Sequence, residues 1–242
     1  MYIKNRLGLI ESVETLLAQE RRMDQVSNNL ANVDTNGFKK ENVTFWEMLY
    51  TASDQRQRVG KAMKVITDHA QGTMELTGNP LDLAINGTGF FKVQTPQGIR
   101  YTRAGNFFRN DQNQLVTPNG HLVMGQGGEI TIQGDEVCID RYGSINVDGE
   151  EMGQLAIVTF ADLDVLQKEG ENNFRLVDKM ARELTPEFLE VRQGYLETSN
   201  VSTVVEMTEM IDLHRAYEAQ QKSVHAIDSL NDKAVNSVGK LT

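Results

Sequence analysis

The residues with the greatest chemical range are four histidines and one cysteine: His69, His121, His214, His225 and Cys138. A zinc protease pairs two histidines four apart on one helix turn. His214 and His225 are eleven apart, so they read as helix-surface residues. A Cys–His nucleophile needs a base near the thiol, and the sequence indicates none for Cys138. No G-x-S-x-G elbow occurs. Gly60-Lys61-Ala62 and Gly239-Lys240-Leu241 lack the Ser/Thr and upstream glycine of a phosphate loop. Gly87-Thr88-Gly89-Phe90-Phe91-Lys92 opens like a dinucleotide fingerprint, but Lys92 takes the sixth place and the segment joins two expected strands. Asp162 and Asp164 near a strand end could suit an acid–base pair, yet a solvated loop explains them far better. The residues therefore predict no catalytic, cofactor-binding or metal site.

Composition narrows the remaining classes. The chain has 242 residues, with 24 Lys+Arg against 34 Asp+Glu and a formal net charge of −10. Bulk phosphate binding needs clustered positive charge, so no nucleic-acid partner is expected. Arg21-Arg22 and Lys39-Lys40 are short basic pairs beside acids and read as solvated helix face. A single thiol excludes an intramolecular disulfide and a Cys-rich zinc site. No apolar run approaches a membrane span, so no membrane insertion is expected. The apolar run Leu7–Ile10 ends at Glu11, too early for the core of a cleaved signal peptide.

Helix breakers divide the chain into zones. All four prolines, and every glycine except Gly8, Gly37 and Gly239, lie between Gly60 and Gly194. The N-terminal zone carries Leu9, Val13, Leu16, Met23 and Leu30 at helical spacing, widened by Val26 and Val33, from about Tyr2 to Ala31. Asn32-Val33-Asp34-Thr35-Asn36-Gly37 should end it, with Gly37 at positive φ and Phe38 as an anchor after the turn. At the other end Met210, Leu213, Tyr217, Gln220, Val224, Ile227, Asn231, Ala234, Val238 and Leu241 alternate by three and four. The run predicts a long helix with a coiled-coil seam.

The middle, 76–195, reads as closely spaced short strands separated by Asn86-Gly87, Asn119-Gly120, Gly127-Gly128 and Asp148-Gly149. Residues 36–75 show no clear period and read as an extended connector with a short helix near Trp46–Tyr50. The predicted class is α+β: long N- and C-terminal α-helices (1–35 and 196–242), a coiled-coil-like pair, flanking a central all-β domain. Each helix has a stripe to bury. A two-helix hairpin packed on the domain and an assembly seam both satisfy that need.

Two segments need more explanation. One is Ser27-Asn28-Asn29-Leu30-Ala31-Asn32-Val33-Asp34-Thr35-Asn36-Gly37-Phe38-Lys39. The other is Gly194-Tyr195-Leu196-Glu197-Thr198-Ser199-Asn200-Val201, continuing through Glu206-Met207-Thr208-Glu209-Met210-Ile211 to Arg215-Ala216-Tyr217-Glu218-Ala219. They closely resemble the terminal signatures of the flagellar axial proteins, the bacterial rod and hook family. Gly78-Asn79-Pro80-Leu81-Asp82-Leu83-Ala84-Ile85, Gly89-Phe90-Phe91 and Tyr101-Thr102-Arg103 resemble the family's β domain. The compact middle is more similar to proximal than to distal rod members, and the lack of a long insertion sets it apart from the hook protein.

The resemblance implies a structural rod subunit without enzymatic activity or cofactor. Its terminal helices would form an inner tube around the export channel, with the β domain outside. It implies other copies of the chain, other rod and hook-side axial proteins and the flagellar type III export apparatus as partners. Ring proteins around the rod are a further candidate. Export would not need a cleaved signal. The assembly residues implied are Asn28, Asn29, Leu30, Ala31, Asn32, Thr35, Gly37, Phe38, Leu196, Glu197, Ser199, Asn200, Val201, Glu206, Met207, Met210, Ile211, Leu213, Arg215, Tyr217, Val224 and Ile227. Among these, the amides of Asn28, Asn29 and Asn32 can satisfy loose backbone groups near a helix end. Glu206 is a candidate for pairing across subunits, Arg215 for a forked carboxylate contact, and Tyr217 for seam packing. A binding module on a helical stalk is the competing reading. Deleting residues 201–242 would separate the two.

Overall fold

A computed structural model describes the backbone of residues 2–51, 57–178 and 180–238. Side chains are described outside 2–11, 46–62, 231–232 and 234–238. The expectations for Leu9, Asn231, Ala234, Val238 and Leu241, and for the side chains of Trp46–Tyr50, lie outside the described residues. The chain divides into two compact units.

The first unit holds residues 1–31, 41–66 and 202–242. It contains helix α1 (Tyr2–Ala31) and helix α2 (Thr203–Val238). Strand β1 (Glu41–Thr51) pairs with β2 (Gln57–Thr67) beside them. The expected short helix near Trp46–Tyr50 is therefore strand. The apolar residues Phe45, Trp46, Met48 and Leu49 fit a helical spacing as well as an extended one, so periodicity cannot decide there.

The helices fall where the breaker-free ends predict them, but a coiled-coil pair is not what they form. A seam buries its apolar positions along the whole contact. Of the expected seam, Leu213 is buried, while Met210, Tyr217, Gln220, Val224 and Ile227 are half-buried. Polar groups hold the contact instead. Asn29 Nδ2 donates to Glu206 Oε2 at 3.1 Å, and Arg22 pairs with Glu209 at 2.6 Å. Among the described side chains of α1, Val26 and Asn29 are the buried ones and Val13 is exposed. The buried face is thus rotated away from part of the expected stripe.

The second unit holds residues 32–40 and 67–201. Its strands are β3 (Met74–Leu76), β4 (Leu83–Gly87), β5 (Phe90–Thr95), β6 (Gly98–Thr102), β7 (Phe108–Arg109), β8 (Leu115–Val116), β9 (Leu122–Gly125) and β10 (Gly128–Glu129). They continue as β11 (Val137–Ile139), β12 (Ser144–Val147), β13 (Glu150–Gln154), β14 (Ile157–Val158), β15 (Leu166–Gly170), β16 (Asn173–Leu176), β17 (Leu189–Gln193) and β18 (Tyr195–Glu197). The main sheet runs β15-β16-β6-β5-β9-β8-β7, with β14 joined to β5 and β10 to β9. A three-stranded sheet, β11-β12-β13, and the pairs β17-β4 and β18-β3 complete the unit.

Strand alternation explains the core. Successive side chains on a strand point to opposite faces. Phe91 and Val93 enter one apolar cluster with Leu83, Phe107, Ile145 and Leu155. Phe90 enters another with Tyr101, Phe160, Leu166 and Phe174. Strand β5 therefore contributes to both clusters.

Candidate assembly site at the terminal motifs

The two terminal motifs are brought together in each unit, by different chemistry. In the first unit Asn29 is the hub. Its residue is 1% exposed. Glu41 N–H donates to Asn29 Oδ1 at 3.1 Å, and Asn29 Nδ2 donates to the Glu41 carbonyl at 2.9 Å. The side-chain amide thus treats Glu41 as a neighbouring strand would, satisfying both of its backbone groups. Gln25 Nε2 adds a bond to the Glu41 carboxylate at 3.1 Å. Glu206, also accepting from Asn29, is 0% exposed. It was expected to face a neighbouring subunit or solvent; it is enclosed within its own chain.

In the second unit the motif after α1 meets the motif around β18. Gly37 takes φ +67° and its N–H donates to the Glu197 carbonyl at 2.7 Å. A Cβ on Gly37 would lie 2.4 Å from Ala104 N, so both the dihedral and the close approach require glycine. Lys40 N–H donates to Asn200 Oδ1 at 2.6 Å. Asn200 Nδ2 reaches the carbonyls of Asp68 at 2.9 Å and Ala70 at 3.1 Å. Asn172 Nδ2 donates to the Asn36 carbonyl at 2.5 Å. Phe38 is buried, and the Lys168 ammonium stands 3.3 Å from its ring centroid.

Beneath these bonds lies a buried ion cluster. The side chains of Lys39 and Glu197 are each 0% exposed, with Lys39 Nζ 2.6 Å from Glu197 Oε1. Arg103 Nη1 approaches Glu197 Oε2 at 3.5 Å, and Gly72 N–H donates to Oε1 at 2.9 Å. Lys39 Nζ also donates to the Ala70 carbonyl at 2.8 Å, and Arg103 Nη2 to that of Gly87 at 2.9 Å. One buried carboxylate therefore serves two cations.

Burial lowers the Lys39 ammonium below its ordinary value, against the pull of Glu197. It lowers Arg103 in the same way. His69 packs on Phe90 and Phe174 beside them. Burial first, then the charges of Lys39 and Arg103, lowers its pKa to about 4. At neutral pH it is an uncharged ring.

Lys39 is thus not on a solvated helix face, as its place in the Lys39-Lys40 pair suggested. Arg103 and Glu197 stand in motif segments, but nothing local announces their pairing. Glu41, His69 and Lys168 carry no signal in the sequence that separates them from surface residues.

The other expected assembly residues fall into two groups. Leu196, Ser199 and Val201 are buried; Leu30, Asn32 and Thr35 are half-buried, with Thr35 Oγ1 donating to Asn32 Oδ1 at 3.2 Å. Asn28, Ala31, Met207, Ile211 and Arg215 are exposed. The first group is enclosed in the chain's own fold; the second lies at its surface.

Three stretches of the chain match known protein families. Residues 12–39 match a family described as flagella basal body rod protein. Residues 84–150 match the flagellar hook protein FlgE/F/G D1 domain, and residues 192–237 the flagellar basal body rod FlgEFG protein C-terminal. The flagellar basal-body rod protein FlgF of Caulobacter vibrioides is 36% identical, over 91% of this chain and 93% of the relative. FlgF of Mesorhizobium japonicum is 30% identical, over 96% and 98%. FlgG of Bacillus subtilis is 34% identical, over 90% and 93%.

Proposed function

Since the chain belongs to the flagellar basal-body rod family and is a structural subunit of the rod, we propose that it polymerises helically through its terminal helices in the proximal, FlgF-type part of the rod. In this reading the segments 1–35 and 196–242 form the inner layer around the export channel. Residues 36–75 form the connector, and residues 76–195 decorate the outside. The shaft so formed transmits torque. Its partners are further copies of the chain and the rod and hook-side axial proteins that adjoin it. The flagellar type III export apparatus delivers it without a cleaved signal, and ring proteins surround it.

The observation that carries this reading is the colinear match of both terminal motifs and the β domain over most of the chain. The exposed members of the terminal motifs add physical support. A head-to-tail contact that does not close on itself generates a helical filament.

Mass spectrometry of purified hook–basal bodies tests the placement. Peptides from residues 76–195 are expected at a yield comparable with other axial proteins. Deleting residues 201–242 should abolish incorporation. A chain recovered outside the basal body, or one that still incorporates after the deletion, would overturn the assembly mode.

A further inference from the structure

Among the described residues, each helix of the first unit carries an exposed apolar stripe. On α2, Val204 is 74% exposed, Met207 50% and Ile211 53%. A helix turns about 100° per residue. Val204 and Ile211 are each two residues from buried Glu206 and Leu213, and Glu206 is bonded to Asn29 of α1, so these two point almost directly away from the Glu206 side that meets α1. On α1, Val13 is 45% exposed and Leu17 54%. Leu17 is nine residues before buried Val26, half a turn out of phase, so this stripe points away from α2. The pair thus presents apolar surface on two opposite sides.

The stripes are also offset along the helix axis. Asn29 meets Glu206 and Arg22 meets Glu209, so the helices are antiparallel. At that register Leu17 lies level with about residue 216 of α2, several residues beyond Ile211.

We propose that the α1 stripe of one copy, Val13 and Leu17, seats on the α2 stripe of a second copy, Val204, Met207 and Ile211. This rests on the polymerisation reading above and specifies which faces meet. Charge supports a second copy as the occupant. Glu14 follows Val13 on the exposed side of α1, and exposed Arg215 stands one turn beyond Ile211 on α2. With the helices antiparallel and Leu17 between Met207 and Ile211, Glu14 comes level with about residue 212, within one turn of Arg215 and in reach of its long side chain. This seating shifts the second copy on the order of 10 Å along the axis at ~1.5 Å per residue. Donor and acceptor faces lie on opposite sides and are offset, so each added copy repeats the shift. The contact cannot close into a symmetric dimer and must climb.

The test uses two chains, one carrying Leu17→Cys and the other Ile211→Cys, each with Cys138→Ser, expressed together with different tags. Basal bodies are isolated and mildly oxidised. A disulfide-linked species of twice the chain mass carrying both tags is expected. Separately, Glu14→Arg and Arg215→Glu should each lower incorporation up to about fivefold, the scale of an exposed ion pair, and the double variant should restore it. Both cysteine chains present in basal bodies without the cross-link would overturn the facing, as would a cross-link to a different protein. Failure of the double charge exchange to restore incorporation would also overturn it. In each case the rod reading stands. Absence of the wild-type chain from basal bodies would instead remove the rod reading.

Discussion

The two units join the same pair of sequence motifs in opposite ways. In the first, a neutral amide, Asn29, bridges a carboxylate and a strand backbone. In the second, two cations converge on one buried carboxylate, Glu197. An amide can be lost at the cost of the bonds it made. A buried ion cannot lose its counter-ion without leaving an uncompensated charge. The second junction should therefore be the more brittle of the two.

The largest effect follows from removing the shared carboxylate. Glu197→Ala leaves Lys39 and Arg103 buried without their anion and should cost the chain ~3–5 kcal/mol. Urea denaturation followed in the β-rich unit measures this. A loss below about 1 kcal/mol would show that the two cations do not depend on Glu197.

Acid gives the second effect. His69 titrates near 6.5 when unfolded and about 4 when folded. Folding therefore favours the uncharged ring, and the unfolded chain binds more protons between those values. This contribution is complete above pH 6.5 and lost as pH falls toward 4. The charged groups around the ring are Lys39, Arg103, Asp68 and Asp164; the two cations resist protonation and the two carboxylates favour it. Between pH 7 and pH 4.5 the wild type should lose about 2–3 kcal/mol more than His69→Phe. Equal pH dependence in paired urea titrations would exclude His69 as the acid-sensitive group.

Much of the fold was legible because its signals are local. The breaker-free ends announced both helices, and turn pairs such as Asn119-Gly120 and Asp148-Gly149 separated most strands. Gly37 was legible for the same reason, since its turn demands a positive φ. The junctions were not. Glu197 lies 158 residues from Lys39, and no periodicity links them. A search for apolar stripes also passes over Asn29 and Glu206, because their burial depends on finding each other. The β1–β2 pair has no distinct period of its own, because the apolar residues of β1 fit two at once. The coiled-coil expectation failed because heptad spacing specifies one face of α2 but not how deeply a partner covers it.

Two smaller changes sharpen the contrast within the first unit. Asn29→Ala removes the bonds to Glu41 and leaves Glu206 without its amide donor. It should cost about 2 kcal/mol, with faster amide exchange at Glu41 as the local mark. Arg22→Ala removes an ion pair at 2.6 Å that looks equally good in geometry, yet its side chains are 47% and 31% exposed. Water already solvates both charges, and fixing two long side chains costs entropy. The expected loss is under about 0.5 kcal/mol. A loss for Arg22→Ala matching that for Asn29→Ala would mean that burial is not what distinguishes these contacts. The ordering by desolvation, which also ranks Glu197 first, would then fail.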